Sequence, residues 1–359
     1  MAGPVIILAV LDWGLGHATR SLVVAATLRR LGARVVWAAA GPAADFLRQA
    51  APDDEHHPLP AYAVRYAGRN MYVNLAGQLP RLARAVYREG QVLTGLAERV
   101  NAAAVISDSR FGARVAGLPS VFITHQLEPI LHPLVGRPGP SAAYRFLLNR
   151  FDQIWVPDHP GPDNLSGQLS NPARYPAGKV SFIGPLSRFA GFGLPADNRT
   201  PYTIVVLLSG PEPQRTYLER ELIAGLTNFP GRHLLIRGKP EAGGSRRRAG
   251  NLEIIDLLVG EELARVLAAA GRVICRSGYS SLMDLAAVGG AAVLIPTPGQ
   301  TEQIYLAERA AAHGWADSAT SGSAAVAVVS AQPSNRHFPH PSDTDNSLDR
   351  QIKTWLASI

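Results

Sequence analysis

Gly14-Leu15-Gly16-His17 follows the apolar run Val5–Leu11 and precedes Ala18–Leu31, whose apolar residues recur at helical spacing until Gly32. A glycine backbone at a helix start can approach a diphosphate or a sugar closely, and an imidazole near neutral pKa suits proton abstraction from a hydroxyl. Gly14 and Gly16 are therefore candidate ligand-binding residues, and His17 is a candidate general base. A dinucleotide fingerprint is excluded. Thr19 stands where the third glycine of G-x-G-x-x-G belongs, and the second strand ends Ala38-Ala39-Ala40-Gly41 without an acidic residue.

A second constellation occupies Arg272 to Gln303. It reads as a buried strand (Arg272–Cys275), a turn at Ser277-Gly278, a helix from Ser280 to Val288, a second strand (Ala291–Ile295) and a polar loop opening another helix. Parallel strands joined by a helix put the helix start and the next loop on one sheet edge, where α/β proteins bind ligands. Arg276, Ser277, Gly278, Ser280, Ser281, Asp284, Gln300, Thr301, Glu302 and Gln303 gather there. Asp284, one turn after Ser280, suits hydrogen bonds from ribose hydroxyls; the alternative is a solvent-facing helix residue. Thr301 and Glu302 alternatively serve as a helix cap and first-turn residue, which favours Gln300 and Gln303 as ligand contacts. The Ser209–Arg215 loop after another strand offers amides at Gly210, the Ser209 hydroxyl and the Arg215 guanidinium to an anion, or is an ordinary turn.

Other chemistries lack support. The chain has no Walker A sequence, no H-E-x-x-H and no G-x-S-x-G elbow. Asp343-Thr344-Asp345 mimics D-x-D but lies in a Pro/Ser/Asn/Asp/His-rich tail, so no metal is expected. The single Cys275, inside an apolar strand, excludes an intrachain disulfide and a thiolate metal cluster.

The elements that hold these residues alternate β and α, which implies parallel sheets covered on both faces. Arg34–Ala40, Ala103–Ser107, Val121–Thr124, Phe151–Pro157 and Val180–Ile183 continue the first strand series, with Pro42–Gln49 and Leu75–Val100 helical. The alternation restarts after the linker-like Pro195–Pro201, with strands at Tyr202–Leu208, Leu234–Arg237 and Leu252–Leu257 and helices at Thr216–Leu226 and Glu261–Ala270. The expected organisation is residues 1–194 and 195–330 as two βα domains, and 331–359 as a flexible tail with a short amphipathic helix at Leu348–Leu356. No repeat beyond this doubling is visible.

At 359 residues, with 47% hydrophobic and 18% charged residues, two globular domains are expected. No apolar run approaches the ~20 residues that span a bilayer, and Met1-Ala-Gly-Pro lacks the basic start of a signal peptide, so a cytoplasmic location is expected. The net charge of +7 favours anionic partners. Arginines are scattered, and their one contiguous run, Arg246-Arg247-Arg248, sits in a Gly-rich stretch read as a solvated loop. With no recognition helix, zinc finger or RNA-binding aromatic signature, nucleic acid is not an expected partner. Tyr62, Arg65, Tyr66, Arg69 and Tyr72 interleave before a helix that carries Arg81, Arg84 and Arg88 at helical spacing. Such a face either receives a substrate and touches anionic lipid as a peripheral contact, or is simply solvated.

At these residues the chain resembles the GT-B glycosyltransferases of family 28, in the branch of the lipid II-forming N-acetylglucosaminyltransferase. Gly14-Leu15-Gly16-His17 is similar to that family's first glycine loop, and His125-Gln126 to its His-Glu-Gln segment without the Glu. Gly184-Pro185-Leu186-Ser187-Arg188 is similar to a Gly-Asn-Pro-Val-Arg segment, and Ser209-Gly210 falls in a Gly-Gly-Ser loop. Cys275-Arg276-Ser277-Gly278 is shared outright, Asp284 falls on the ribose-binding Glu, and Gln303 on the first of paired glutamines, the second being Ile304 here. The strings Asp12-Trp13-Gly14-Leu15-Gly16-His17-Ala18-Thr19-Arg20 and Ser209–Arg215 look like a distinct subfamily. The resemblance implies two Rossmann-like domains facing across a cleft and a nucleotide-sugar co-substrate, in the first instance a UDP-sugar, with no further cofactor. It implies inverting, metal-independent hexosyl transfer to an acceptor hydroxyl, with His17 as base. Ser209, Gly210, Arg188, Arg215 and Arg276 would stabilise the departing diphosphate. The resemblance also implies that residues 1–194 are the acceptor-side domain and 195–330 the donor domain, and Asp108 is either a second acidic group at the cleft, or a strand-end cap or partner of Arg110. A nucleotide-sugar hydrolase or epimerase, or a non-catalytic binder, are the alternatives, with the acceptor open among glycans, lipid-linked sugars and small molecules.

Overall fold

A computed structural model describes residues 3–62, 71–130, 138–192, 202–239, 245–331, 335–339 and 346–359. The segment containing Arg65, Tyr66 and Arg69, the linker Pro195–Pro201 and the Asp343–Asp345 triplet lie outside the described residues, as does the side chain of Tyr72.

Apolar runs long enough for one strand each, separated by amphipathic helices, fold into two units. The first contains β1 (Val5–Val10), α1 (Leu15–Arg30), β2 (Arg34–Ala39), α2 (Gly41–Ala50), β3 (Glu55–Pro58), α3 (Met71–Val100), β4 (Ala104–Asp108), β5 (Ser120–Ile123), α4 (Pro138–Asn149), β6 (Gln153–Val156) and β7 (Val180–Phe182). Its strands pair in parallel in the order β3-β2-β1-β4-β5-β6-β7. The chain reverses direction of travel across the sheet between β1 and β4, so this pair is the switch point, outside whose carboxyl ends ligands bind in such sheets. The register sets Val10 opposite Asp108, which brings the loop after β1 beside the end of β4.

The second unit contains β8 (Ile204–Leu207), α5 (Gln214–Leu226), β9 (His233–Ile236), β10 (Arg246–Ala249), β11 (Leu252–Ile255), α6 (Gly260–Ala268), β12 (Arg272–Arg276), α7 (Tyr279–Val288), β13 (Ala292–Ile295), α8 (Thr301–Ala312), β14 (Asp317–Ser318) and α9 (Gly322–Ala331). Its order, β10-β11-β9-β8-β12-β13-β14, repeats the pattern with the switch between β8 and β12. Here the Ser209–Gly210 loop and Arg276-Ser277-Gly278 leave adjacent strands. Each sheet is sealed by strands exposed on neither face. Ile6 to Val10 and Val273 to Cys275 are buried, as are Ala292 to Ile295.

Three sequence expectations change. Arg246-Arg247-Arg248 is not a loop but an edge strand, antiparallel to β11, with Arg246 paired to Glu253. Charged side chains are tolerated there because an edge strand with exposed side chains need not enter the core. The contact boundary between the units falls between Leu186 and Ser187, ahead of the compositional one, because Ser187 and Arg188 are bound by Asp284. The C-terminal helix α10 (Ser347–Leu356) belongs with the first unit. Arg30 pairs with Asp349, Gln351 bonds Gln153 at 3.1 Å, and Trp355 meets Trp155 edge-to-face at 5.4 Å. No described helix is long and apolar enough to cross a membrane.

Candidate active site

In the first unit, Gly14 caps α1 at φ 89°, a conformation that favours glycine, and starts the helix within four residues of the strand end. His17 therefore lies in the first turn, partly exposed, above the end of β4. Its Nδ1 is 2.8 Å from Asp108 Oδ1. Asp108, fully buried, also accepts from Arg20 Nε at 2.8 Å and Ser21 Oγ at 2.9 Å, and Arg20 Nη2 bonds its Oδ1. Burial opposes charge on Asp108, but Arg20 and His17 overcome it and hold the carboxyl well below its usual range. Arg20 Nη2 lies 2.9 Å from the same Nδ1 but donates to Asp108 Oδ1; an ionised carboxylate only accepts, so the tautomer that bonds it carries the proton on Nδ1, leaving the lone pair on Nε2. Burial lowers the His17 pKa below 6.5, the Arg20 charge lowers it further, and Asp108 acts in opposition. A neutral imidazole held in one tautomer is the form a general base needs.

Of the two sequence readings for Asp108, the partnership with Arg110 is not the one formed. Arg110 turns the other way, to Glu89, to the Pro60 carbonyl at 2.5 Å and to the Val10 carbonyl at 3.2 Å. Arg20 and Ser21 escaped the sequence reading. Their spacing of three and four residues from His17 places them on the same helix face, and that was the available signal.

In the second unit the carboxyl ends of β8, β12 and β13 carry three helix starts. The N-cap residues of α5, α7 and α8 make no side-chain cap, although the Glu212 carboxylate accepts from the Thr216 amide at 3.2 Å in the first turn of α5, and α7 has no acidic residue in its first turn. Helix starts carry positive potential. Ser209 and Gly210 are exposed, with Gly210 at φ 103°. Arg276 is 4% exposed. Its Nη1 donates to the Pro296 carbonyl at 3.0 Å and Nη2 to the Gln214 carbonyl at 3.1 Å, while Nε has no hydrogen-bond partner among the described residues. Burial pulls its pKa down to about 10, with Glu221 opposing, so it stays charged at neutral pH. Ser277, buried, donates to the Gln303 carbonyl at 2.7 Å, and Gln303 Oε1 accepts from the Thr297 amide at 2.8 Å. Gln303 thus fixes the Pro296–Gln300 loop, with its amide nitrogen about 4.0 Å from where a Gly278 side chain would start. Gly278 and Gln300 occupy the cap positions of α7 and α8; Ser280 and Thr301 lie in the first turns of those helices. The buried Thr297 hydroxyl, which sequence reasoning missed, has no partner and lies about 3.9 Å from where a Gly210 side chain would start.

Three expected ligand residues are already engaged. Arg215 is not free to face an anion across its loop: it bonds Glu212 and the Arg237 carbonyl at 3.0 Å, and Glu219 is 3.7 Å away. Glu219 joins it to Arg237 and Asp256 in a continuous ion-pair chain. Asp284 accepts from Ser187 Oγ at 2.8 Å and from Arg188 Nε at 2.9 Å, one bond to each oxygen. Burial raises its pKa while Arg188 opposes, so both expected ligand groups, Asp284 and Arg188, are held by each other. Among the described residues no group of three His, Cys, Asp or Glu is close enough to hold a metal ion.

Residues 247–319, from within β10 to just past β14, match the glycosyltransferase family 28 C-terminal domain. The chain is 28% identical over 287 residues to a UDP-N-acetylglucosamine–N-acetylmuramyl-(pentapeptide) pyrophosphoryl-undecaprenol N-acetylglucosamine transferase of Xanthomonas axonopodis pv. citri, covering 78% of this chain and 62% of the relative. The chain thus spans about three-fifths of the length of the curated relatives it matches. Among solved structures it superposes on the glycotransferase of kitacinnamycin with TM-score 0.62 at 17% identity, covering 100% of this chain and 96% of that one. It superposes on the spinosyn rhamnosyltransferase SpnG complexed with thymidine diphosphate with TM-score 0.60 at 16% identity, covering 99% and 96%. Likeness at this identity shows a shared fold, two parallel-dominated α/β sheets.

Proposed function

We propose, from the premise that this chain is a GT-B protein of the family 28 group, that it transfers a hexosyl unit from a nucleotide sugar to an acceptor hydroxyl. The observation that carries the reading is the neutral His17, oriented by buried Asp108 at the switch point of the first unit. The acceptor O–H gives its proton to His17 Nε2, and its oxygen attacks the anomeric carbon. The carbon–oxygen bond to the diphosphate breaks with its electron pair leaving on the phosphate oxygen, which inverts the anomeric centre. Asp108 stays ionised and stabilises the imidazolium that forms.

The second unit supports the donor half. The starts of α7 and α8, the amides at Ser209–Gly210 and Ser277–Gly278, and the charge of Arg276 suit a departing diphosphate. Fixed positive charge supplies the stabilisation that a metal would otherwise give, so turnover is expected to survive chelation. The relative from Xanthomonas is named for a UDP-sugar, which makes uridine the first base to try; SpnG holds thymidine diphosphate. Arg81, Arg84 and Arg88 are exposed on α3, the arrangement a peripheral contact with anionic lipid needs.

The test is a thermal-shift panel of UDP, GDP, dTDP and CMP, followed by measuring release of the nucleotide from the matching sugar donor with and without an acceptor mixture. A ligand that binds only the folded state raises the melting temperature. If no nucleotide does so, the donor reading is wrong. If one does and release runs at full rate without any acceptor, the protein is a hydrolase.

A further inference from the structure

The string Asp12-Trp13 lies between β1 and the His17 helix and has no part in the proton chemistry. Trp13 is 42% exposed, whereas Trp37, Trp155, Trp315 and Trp355 are buried. An indole in water is held there by a scaffold. Tyr62 meets it edge-to-face with centroids 6.4 Å apart, Arg110 lies over the other ring at 4.7 Å, and the Tyr62 hydroxyl donates to Glu89 Oε2 at 2.6 Å. Glu89 is itself buried, paired to Arg110 and accepting from the Gly112 amide at 3.0 Å. The platform is thus set by a closed polar network on α3 and the loop after β4.

Asp12 is the independent observation. Its side chain is 7% exposed, and its Oδ1 is buried with no hydrogen bond among the described residues, Arg110 Nη1 lying 3.6 Å away as an ion-pair partner. A buried carboxylate oxygen without a hydrogen-bond donor is costly unless a ligand brings one. Both groups lie four or five residues before His17, on the stretch that leads from β1 into its helix.

We propose that Asp12 and Trp13 form the ring-recognition half of the acceptor site, so that the acceptor is a carbohydrate. The indole stacks under the C–H face of the sugar ring, and Asp12 accepts from its hydroxyls. This rests on His17 as the base. An aromatic or lipid-like aglycone would use the indole and gain nothing from Asp12.

The experiment is calorimetry and tryptophan emission with the methyl β-glycosides of glucose, N-acetylglucosamine and galactose, methyl α-rhamnoside, and 2-naphthol as the flat molecule without ring hydroxyls. At least one glycoside is expected to bind saturably and change the emission. Trp13→Phe retains the heat of binding and loses the optical signal, Trp13→Ala loses both, and Asp12→Asn weakens binding about tenfold or more, the loss of a charge-assisted hydrogen bond. Far-UV circular dichroism and melting temperature report folding of each variant. The proposal is overturned if no glycoside binds at tens of millimolar, if 2-naphthol binds and the glycosides do not, or if Asp12→Asn leaves glycoside affinity within twofold. Nucleotide shifts in the wild type without glycoside binding sink this inference alone. Glycoside binding with no nucleotide shift sinks the transferase reading and leaves the ring site standing.

Discussion

Asp108→Asn is the sharpest perturbation, because the residue is fully buried and its two oxygens take donors from His17, Arg20 and Ser21. An amide keeps the shape and removes the charge. Its NH2 then faces the Arg20 guanidinium, donor against donor, whichever oxygen it replaces, and Arg20, itself 2% exposed, keeps a positive charge without its counterion. Breaking one side of a buried ion pair costs about 3–5 kcal/mol. Ser21→Ala, which removes one neutral donor, should cost about 1 kcal/mol. Urea denaturation followed by far-UV circular dichroism separates the two. Catalysis should fall about 10²–10⁴-fold for Asp108→Asn, and similarly for His17→Ala, read as nucleoside diphosphate release. The two residues act as one base, so the double variant should be little worse than His17→Ala alone. Multiplying losses in the double variant, or Asp108→Asn within threefold of wild type, would refute the dyad.

Three further outcomes follow from the geometry. His17 is neutral in the fold, so the acid limb of kcat/KM is expected below pH 6.5; the same depressed pKa makes its folded form bind fewer protons than the unfolded chain, so its contribution to stability is present above 6.5 and lost as pH falls toward the folded value. A pH–rate profile with its acid limb above 6.5 contradicts this. For Asp284, both oxygens are engaged by Ser187 and Arg188, so the chain should discriminate UDP from 2′-deoxy-UDP by less than about tenfold, and Asp284→Asn should mainly cost stability, about 1–3 kcal/mol, in urea titrations; a ribose preference abolished by Asp284→Asn would restore the direct contact. Burial pushes the Cys275 thiol up to about 12, so it should resist DTNB in the native state and react fully in denaturant; rapid native labelling would show that β12 opens.

The strands and helices were legible because each is carried by a local pattern: continuous apolar runs for strands covered on both faces, 3.6-residue spacing for α1, α5 and α7, and glycines at loop starts. The short strand β3, the edge strand β10 and helices α4 and α9 were missed. Glu55-His56-His57-Pro58 and Arg246-Arg247-Arg248 carry no apolar signal, and only pairing with β2 and β11 makes them strands. The same division holds in the candidate site. His17 and the edges of β8 and β12 could be named from residue type and position alone, since chemistry and glycine geometry are properties of a few neighbouring residues.

Partnership is not local. That Asp108 serves His17 and not Arg110 follows from a parallel register that sets it opposite Val10, ninety-odd residues away in sequence. That Arg215 is spent on Glu212 and the Arg237 carbonyl, and Asp284 on Ser187 and Arg188, follows from which carboxylates and carbonyls the folded sheet brings within 3 Å. The amino-acid sequence by itself determined which elements form and which side chains could do chemistry. Tertiary structure alone decided which charges are already neutralised inside the protein and which remain for a ligand, because electrostatic pairing depends on distance in space and on burial, neither of which is written in neighbouring residues.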